Sequence, residues 1–458
     1  MLNYGTQPEK LGPLTAAQRA IWAAQQLQPE TPYNFGAFLA VDHHVDAERL
    51  MLACEAAATR FGTPCARLSV EDGEPVFIVD RSFPKALRII NLQNEPDAVA
   101  AARSWMNNDY RRPIDLVRDR LIEFVLLRIT GQLSYFYLRT HHVLFDGFGA
   151  DNLIRHVAAV YSGSVPPDTG EVDFSAFGLI RESERKYQGS SRSRADAEYW
   201  KTVVRGPLNV TDLAGAQRSV APRHPSVREL VCTHQLSDGQ FDVARVVTAT
   251  AIFLAKTTGR RTISMSLPVS ARTTAALKKS TGMVSNLVPL LVCVEDCDTI
   301  GAVTDRVGTA LIGALRHQQF RRWPELIAGG TRLDMNVEFG PVVNVLNFAT
   351  PFAFGPSQVT YDVLTTNPVQ DIAINVYPWL GDGTPRIQFA WNPERYTAEE
   401  IARHVTRFEM LLNRLLVADA SVVVGEVSLL DSGERDLVSG WSGVGVDVPV
   451  GVAPALLA

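Results

Sequence analysis

Two strand-like runs followed by a helix, between residues 120 and 163, restrict the possible fold more than any other feature of the sequence. RLIEFVLLRI and LSYFYLRTHH are rich in β-branched and aromatic residues, and the residues 130–132, Thr-Gly-Gln, separate them. This order predicts a β-hairpin. Apolar residues then recur at helical spacing from 153 to 161, and Gly163 is placed to end a helix of about 148–161.

The second run ends in two adjacent histidines within THHVLFDGFG, residues 140–149. Side chains alternate faces along a strand, so His142 should share the face of Thr140 and His141 that of Arg139. The two rings should then point in opposite directions and not bind one metal together. One of them can face a reaction site while the other is structural.

Asp146 and Gly147 lie at the turn into the helix that follows. An aspartate there can cap the helix and interact favourably with its positive end. A glycine removes the Cβ where something approaches closely or where the backbone needs unusual dihedral angles. Strand, histidine, turn and helix N-terminus together make a candidate reaction centre, although a lone histidine at a strand end is more often a satisfied polar residue.

A second pair, His43-His44 in DHHVD, serves as a comparison. Asp46 can cap the helix that follows, and Gly62 is placed to end that helix. However, Glu48-Arg49 stands at the spacing where the first pair has Asp-Gly. The sequence predicts a surface loop between strand and helix here, without chemistry.

Length and charge limit the class of protein. A chain of 458 residues is too long for one ordinary core, which predicts two or three domains or lobes. The net charge of −5 argues against general nucleic-acid binding. No apolar run approaches the ~20 residues of a membrane span, and the N-terminus has no signal pattern. We therefore predict a cytoplasmic location without a membrane partner.

Five scattered cysteines fit a reducing compartment. They are Cys54, Cys65, Cys232, Cys293 and Cys297. Cys293 and Cys297 are four apart, but no second cysteine pair or nearby histidine accompanies them. Two small, partly buried side chains are therefore expected, and no metal site.

A Pro/Gly/Ser-rich stretch at 162–170 and the polar run after it place a boundary between two halves. The predicted units are 1–175, 176–435 and a linker of 436–458 toward a following domain. The second half again mixes strands and helices. Its clearest helix covers about 398–417, where Thr397 and Glu400 form a capping-box pattern.

HHVLFDG resembles the HHxxxDG motif of condensation domains in nonribosomal peptide synthetases. Other family motifs recur in order: LTAAQRAIW (14–22), RPIDLVRDRLIEFVLLRI, AEYW (197–200), SLPVSAR (266–272), TGMVSNLVPL (281–290), DIAINV and WNPERYTAEEI. The resemblance covers residues from about 12 to 435. It implies an α+β fold of two chloramphenicol-acetyltransferase-like lobes in a V-shaped pseudo-dimer with a tunnel between them.

The resemblance also implies an acyltransferase activity. Donor and acceptor carrier proteins would deliver substrates on phosphopantetheine arms, and the domain itself would bind no cofactor or metal. A donor thioester would meet the acceptor amine at His142 and form an amide. His142 could take the proton, orient the amine or donate to the oxyanion, and the sequence leaves these three roles open.

Further residue roles follow from the same resemblance. His141, Asp146 and Gly147 would be structural at the active site, and Arg272 would be the salt-bridge partner of Asp146. The alternative for Arg272 is a solvated loop arginine. Asn344 is a candidate for lining the tunnel, and its alternative is hydrogen bonding at a strand edge. Asn347 would face the other way in a regular strand.

Two details of the match concern variation within the family. Many relatives have an aromatic residue and Ser after the Asp-Gly, whereas this chain has Phe148 and Gly149. RHQQFRRW (316–323) fits either a basic carrier-docking patch or a solvated helix face.

The resemblance is strongest to starter-type domains of the enterobactin kind, which receive an aryl acid. Since no carrier segment precedes Met1, we expect a small or aryl acyl donor delivered in trans and an adenylation domain downstream. The alternatives are a non-catalytic recruitment domain and a free-standing acyltransferase that uses coenzyme A thioesters.

Overall fold

The computed structural model describes residues 9–80, 87–205, 208, 210–215, 220–230, 242–323, 339–346, 350–365, 367–378 and 385–441. The elements of the first half are β1 (Lys10–Pro13), α1 (Ala16–Leu27), β2 (Asn34–Val41), α2 (Ala47–Phe61), β3 (Ala66–Glu71), β4 (Glu74–Val79), β5 (Leu87–Asn91), α3 (Ala98–Arg111), β6 (Ile122–Arg128), β7 (Ser134–His141) and α4 (Gly147–Ser162).

The elements of the second half are α5 (Ser175–Tyr187), α6 (Ser191–Val203), β8 (Ser226–Leu230), α7 (Val243–Thr258), β9 (Thr262–Val269), α8 (Ala275–Lys279), β10 (Asn286–Cys293), α9 (Ile300–Arg316), β11 (Val342–Val345), β12 (Phe352–Phe354), β13 (Ser357–Val359), β14 (Tyr361–Thr365), β15 (Ile372–Tyr377), β16 (Arg386–Trp391), α10 (Ala398–Val417) and α11 (Ser432–Trp441).

A five-stranded sheet in the order β14–β2–β7–β6–β5 carries the histidine pair. Its central strand β7 is antiparallel to both neighbours, which confirms the predicted β6–β7 hairpin. Phe136 and Leu138 face a core shared with α2 and α4, whereas Tyr135 and Tyr137 face a second core with α3. The sheet is therefore covered on both faces, and all residues of β7 are buried.

A six-stranded sheet in the order β10–β9–β11–β15–β16–β8 forms the centre of the second half. The helices α7, α9 and α10 contribute buried side chains to its core. The predicted capping box at Thr397 and Glu400 is present, and α10 covers the expected residues. The mixture of both sheets with helices confirms the α+β class.

Two features join the halves. The strand β14 pairs antiparallel with β2, so a segment of the second half lies in the first sheet. The segment after β9 docks on the first half, where Asn152 Nδ2 donates to the carbonyls of Lys278 and Ser280 at 3.0 Å each. The unit boundaries expected at 175 and 435 stay predictions, and they do not account for the position of β14.

The cysteine expectation needs a correction. Cys293 and Cys297 are exposed and not partly buried, because Cys293 ends the edge strand β10 and Cys297 lies in the turn after it. Cys54 and Cys65 are buried, and Cys232 lies outside the described residues. Within the described part of the chain, no group of three or more His, Cys, Asp or Glu side chains could hold a metal ion.

None of the described helices is both long enough and apolar enough to cross a bilayer.

Candidate active site

The site begins where β7 ends at His141. His142 lies in the turn that follows, and its backbone N–H donates to the carbonyl of Tyr33 at 2.8 Å. The N–H of Leu144 then returns to the carbonyl of His141 at 2.9 Å. Asp146 caps α4 by accepting the N–H of Gly149 at 2.8 Å, as the sequence predicted. The reaction-centre candidate is thus a tight turn between a central strand and a helix.

Both ring nitrogens of His141 form hydrogen bonds within the fold. Its Nδ1 accepts the N–H of Val143 at 3.1 Å, so the ring proton must be on Nε2, which lies 3.0 Å from Gln25 Oε1 in α1. Burial lowers the pKa of His141 well below its usual value, and the neighbouring His142 and Arg139 add to this effect. The ring is therefore neutral and holds α1 against β7.

His142 has a different environment. Its Nδ1 lies 3.1 Å from the carbonyl oxygen of Phe145, which can only accept, so Nδ1 carries a proton. The ring meets Phe35 edge-on at 6.2 Å between centroids. Because β7 ends at His141, strand alternation does not determine this orientation; the turn from 142 to 145 does.

Asp146 is surrounded by donors. Its Oδ2 accepts from Arg272 Nη1 at 2.6 Å and from the N–H groups of Val284 and Ser285 at 2.9 and 2.8 Å. Burial by itself raises the pKa of Asp146, but the charge of Arg272 and these hydrogen bonds outweigh it, so the pKa is below its usual value. The carboxylate is therefore ionised at neutral pH.

Arg272 forms the predicted contact with Asp146 and is not a solvated loop arginine, since only 2% of it is exposed. Its Nη2 also donates to the carbonyl of Gly282 at 3.0 Å. The guanidinium carbon lies 5.0 Å from the centroid of the Phe148 ring, within the range of a cation–π contact. Ala271, just before it, has a φ of 51°, which L residues rarely adopt.

A close backbone approach occurs at Gly149. A Cβ built there would lie 2.8 Å from the carbonyl oxygen of Gly282 and 2.9 Å from its nitrogen. Gly147 is the first residue of α4. The absence of the family's Ser at position 149 therefore has a local reason, because this chain brings the backbone at Gly282 against the first turn of α4.

Asn344 lies in β11 and is half-buried. Its Nδ2 lies 3.3 Å from Oδ1 of Asn375, its register partner in β15. This contact matches hydrogen bonding within the sheet, which was the alternative interpretation, and the tunnel-lining role stays a prediction. Asn347 lies outside the described residues.

The comparison pair His43-His44 lies in the loop between β2 and α2, as expected. His43 Nδ1 contacts Ser357 Oγ at 2.9 Å, and Ser357 Oγ also donates to Asp42. His44 is exposed. These contacts fasten the β12–β13 hairpin to the first half.

A cavity of about 390 Å³ lies close to the Asp146 cluster. The residues that line it come from the start of α1, from α5 and α6, and from the segments 271–284 and 319–322. Met283 and Val284 belong to its wall, whereas His142 does not belong to it in the described part of the chain. The cavity thus shares Val284 with the segment that binds Asp146.

Sequence reasoning missed Arg321 and the role of the peptide groups at 284–285. Arg321 was assigned to a solvated helix face or a docking patch, but its guanidinium donates to the carbonyls of Val284 and Ser285. The buried neighbours Phe320 and Trp323 were the only local signal that this segment faces inward.

The fold and the site together define a class of protein. An α+β chain with a histidine and an aspartate cap at one turn, and with a buried arginine from a distant segment paired to that aspartate, has the features of acyltransferases related to chloramphenicol acetyltransferase. The Condensation domain family matches residues 9–438, and the chain belongs to this family. Condensation domains are acyltransferases that catalyse amide bond formation in nonribosomal peptide synthetases.

Curated relatives agree with this family. Isonitrile lipopeptide synthase of Streptomyces coeruleorubidus is 31% identical over 410 residues, which are 85% of this chain and 27% of the relative. Enterobactin synthase component F of Escherichia coli (strain K12) is 25% identical over 464 residues, 97% of this chain and 35% of the relative. The chain thus spans about a third or less of the length of these relatives.

Solved structures are also similar. A variant of the starter condensation domain of rhizomide synthetase, in complex with C8-CoA, superimposes with a TM-score of 0.80 at 26% identity, covering 92% of this chain and 98% of that chain. The first condensation domain of the calcium-dependent antibiotic synthetase, with a substrate analogue, has a TM-score of 0.79 at 27% identity, covering 92% and 99%. The expected resemblance to starter-type domains is confirmed.

Proposed function

We propose that this chain joins a carrier-bound acyl thioester to the amine of a carrier-bound aminoacyl group, and that His142 is the catalytic residue. The observation that carries this proposal is the Nδ1 contact of His142 with the Phe145 carbonyl, which fixes the orientation of the ring with a proton on Nδ1. The ion pair of Asp146 and Arg272 holds the turn that contains His142 and Phe145.

The chemistry fits a ring in this tautomer. The amine attacks the thioester carbonyl, the C–N bond forms, and collapse of the tetrahedral intermediate releases the thiol of the donor arm. An α-amine has a pKa near ~8, so a neutral fraction already exists at pH 7. When the ring is neutral, a proton on Nδ1 leaves the lone pair on Nε2, which can accept a proton there. This favours taking the amine proton or orienting the amine over donating to the oxyanion.

We further propose that the cavity beside the Asp146 cluster receives part of one carrier-bound substrate. Its volume of about 390 Å³ lies within the range of small-molecule sites. Most of its wall is apolar, and Glu184 supplies a charged group. The carriers would supply the phosphopantetheine arms, and an adenylation domain would load the acceptor carrier.

The proposed donor is a small or aryl acyl group. Similarity to an enterobactin synthase component supports this choice. A medium-chain fatty acyl donor is the second candidate, because a solved relative binds C8-CoA and another relative is a lipopeptide synthase. A growing peptide is not expected as the donor.

A single-turnover assay with loaded carriers tests these proposals. One aminoacyl carrier is mixed with an aryl-, octanoyl- or dipeptidyl-loaded carrier, and amide formation is followed by mass spectrometry of the intact carriers. The aryl carrier should react fastest. Preference for octanoyl supports the second candidate, and preference for dipeptidyl overturns both donor proposals.

Two further outcomes would overturn the enzyme proposal itself. No amide with any donor would indicate a recruitment domain. Amide formation from acyl-CoA and a free amine at the same rate, without carriers, would indicate a free-standing acyltransferase.

A further inference from the structure

The segment RHQQFRRW changes direction after α9 ends at Arg316. Asn286 Nδ2 donates to the carbonyls of Gln318 and Phe320 at 2.9 and 2.7 Å, which fixes the turn against the start of β10. Phe320 and Trp323 are buried. The expectation of a solvated helix face is therefore wrong for Arg321, whose side chain is turned inward.

The Arg321 guanidinium binds the same short segment that binds Asp146. Its Nη2 donates to the carbonyls of Val284 and Ser285 at 2.5 and 3.0 Å, and its Nη1 donates to Asn286 Oδ1 at 3.1 Å. The N–H groups of Val284 and Ser285 donate to Asp146 on the other side. The segment thus lies between a cation and an anion.

One peptide group connects the two charges directly. The peptide that joins Val284 to Ser285 accepts from Arg321 at its carbonyl and donates to Asp146 through its N–H. Hydrogen bonds to charged groups are stronger than bonds between neutral groups. The bond from Arg321 to the carbonyl and the bond from the N–H to Asp146 both increase the dipole of this peptide group, so each bond strengthens the other. Burial lowers the pKa of Arg321 to about 10, which leaves the guanidinium charged at neutral pH.

We propose that Arg321 is a positioning residue for His142. It fixes the peptide groups at 284–285 so that both N–H groups point at Asp146. Asp146 in turn caps α4 and holds the turn whose Phe145 carbonyl orients the His142 ring. This inference rests on the proposed function, because it assigns Arg321 to the amide-forming site.

The test compares Arg321→Met, Arg321→Lys and the control Arg403→Met, whose side chain is 54% exposed on α10. Arg321→Met should lower kcat by ~10-fold to ~10²-fold with little change in KM for the carriers, since small displacements near a reacting group have effects of this size. Arg321→Lys should keep more activity, and Arg403→Met all of it. A kcat for Arg321→Met within about threefold of the parent, far below the effect expected of misplacement, would overturn the proposal.

Two readouts separate positioning from general structural damage. Arg321→Met should cause no further loss when His142 is already Ala, whereas independent effects would multiply. In the folded variant, ¹⁵N spectra of the His142 ring should show loss of the single Nδ1–H tautomer.

An unchanged ring spectrum would contradict the positioning role. If Arg321→Met does not fold, as judged by circular dichroism, the spectrum of Arg321→Gln, which also lacks the charge, decides in the same way. Full activity of His142→Ala would contradict the proposed catalytic role of His142. The ring spectra of the Arg321 variants would still show whether Arg321 orients His142.

Discussion

Arg272 Nη1 lies 2.6 Å from Oδ2 of Asp146, and the two residues are 126 positions apart in the chain. Only 3% of Asp146 and 2% of Arg272 are exposed to solvent. The pair therefore ties the turn after β7 to the segment after β9. Because each charge depends on the other, removing one partner leaves a buried charge uncompensated.

Asp146→Ala should lower the free energy of unfolding by ~3–5 kcal/mol, the usual cost of breaking a buried ion pair. Activity should fall together with stability, because α4 loses its N-cap and the turn before it, which contains His142, loses its ion pair. Chemical denaturation of both proteins measures the difference. Glu198→Ala, which removes an exposed partner of Lys201, is the control and should leave stability unchanged. Equal stability of Asp146→Ala and the parent would contradict the structural role.

The pH dependence of this contribution follows from the depressed pKa of Asp146. When pH falls, the unfolded carboxyl takes up its proton first, near pH ~3.9, and the folded one only below that. The stability gap between the parent and Asp146→Asn should be constant from pH ~7 to ~5 and shrink below pH ~4. Urea denaturation at several pH values measures this gap. A gap that closes near neutral pH would be inconsistent with an ionised, paired carboxylate.

His141 should give a pH dependence of the same sign as Asp146, but at higher pH. Its folded pKa is lowered by burial, so below pH ~6.5 the unfolded ring binds the proton and the folded ring does not. The stabilisation from His141 is therefore present above this pH and decreases as the pH falls toward ~5. Comparing the parent with His141→Asn in denaturant over this range isolates the effect. A difference that grows on acidification would show that the ring is charged in the fold.

Gly149→Ser tests the close approach to Gly282. The added Cβ would meet backbone atoms that cannot rotate away, so we expect a loss of ~1–3 kcal/mol, as for overpacking elsewhere. Gly178→Ser in α5 is the matched control, since nothing lies within 4 Å of its Cβ position. Thermal unfolding of both variants gives the comparison. A stabilising Gly149→Ser would mean that the two backbones are not in contact.

Local features of this fold were readable from the sequence. The hairpin before His141, the helix ended by Gly163 and the capping box at Thr397 depend on periodicity and on residues within one turn of each other. The pairing of Asp146 with Arg272 came from resemblance to a family and not from any pattern in this chain. A single sequence does not say which distant segments meet.

The features that were missed all depend on such distant contacts. Pairing of β14 with β2 joins strands more than 300 positions apart, and no periodicity reports it. Arg322, next to Arg321, is exposed. The sequence pattern predicted the same environment for both arginines. Gly149 was read as a departure from the family pattern, whereas its reason is the position of Gly282. Tertiary packing determined each of these.

The rate of amide formation by His142→Ala in single turnover, with both carriers loaded, tests the central claim most directly. Removing a positioned proton-transfer group typically costs ~10²–10⁴ in rate, and circular dichroism checks that the variant is folded. His44→Ala, at the exposed member of the comparison pair, should keep the parent's rate. A loss of two orders of magnitude or more in His142→Ala alone agrees with the assignment, whereas a loss below about tenfold would contradict it.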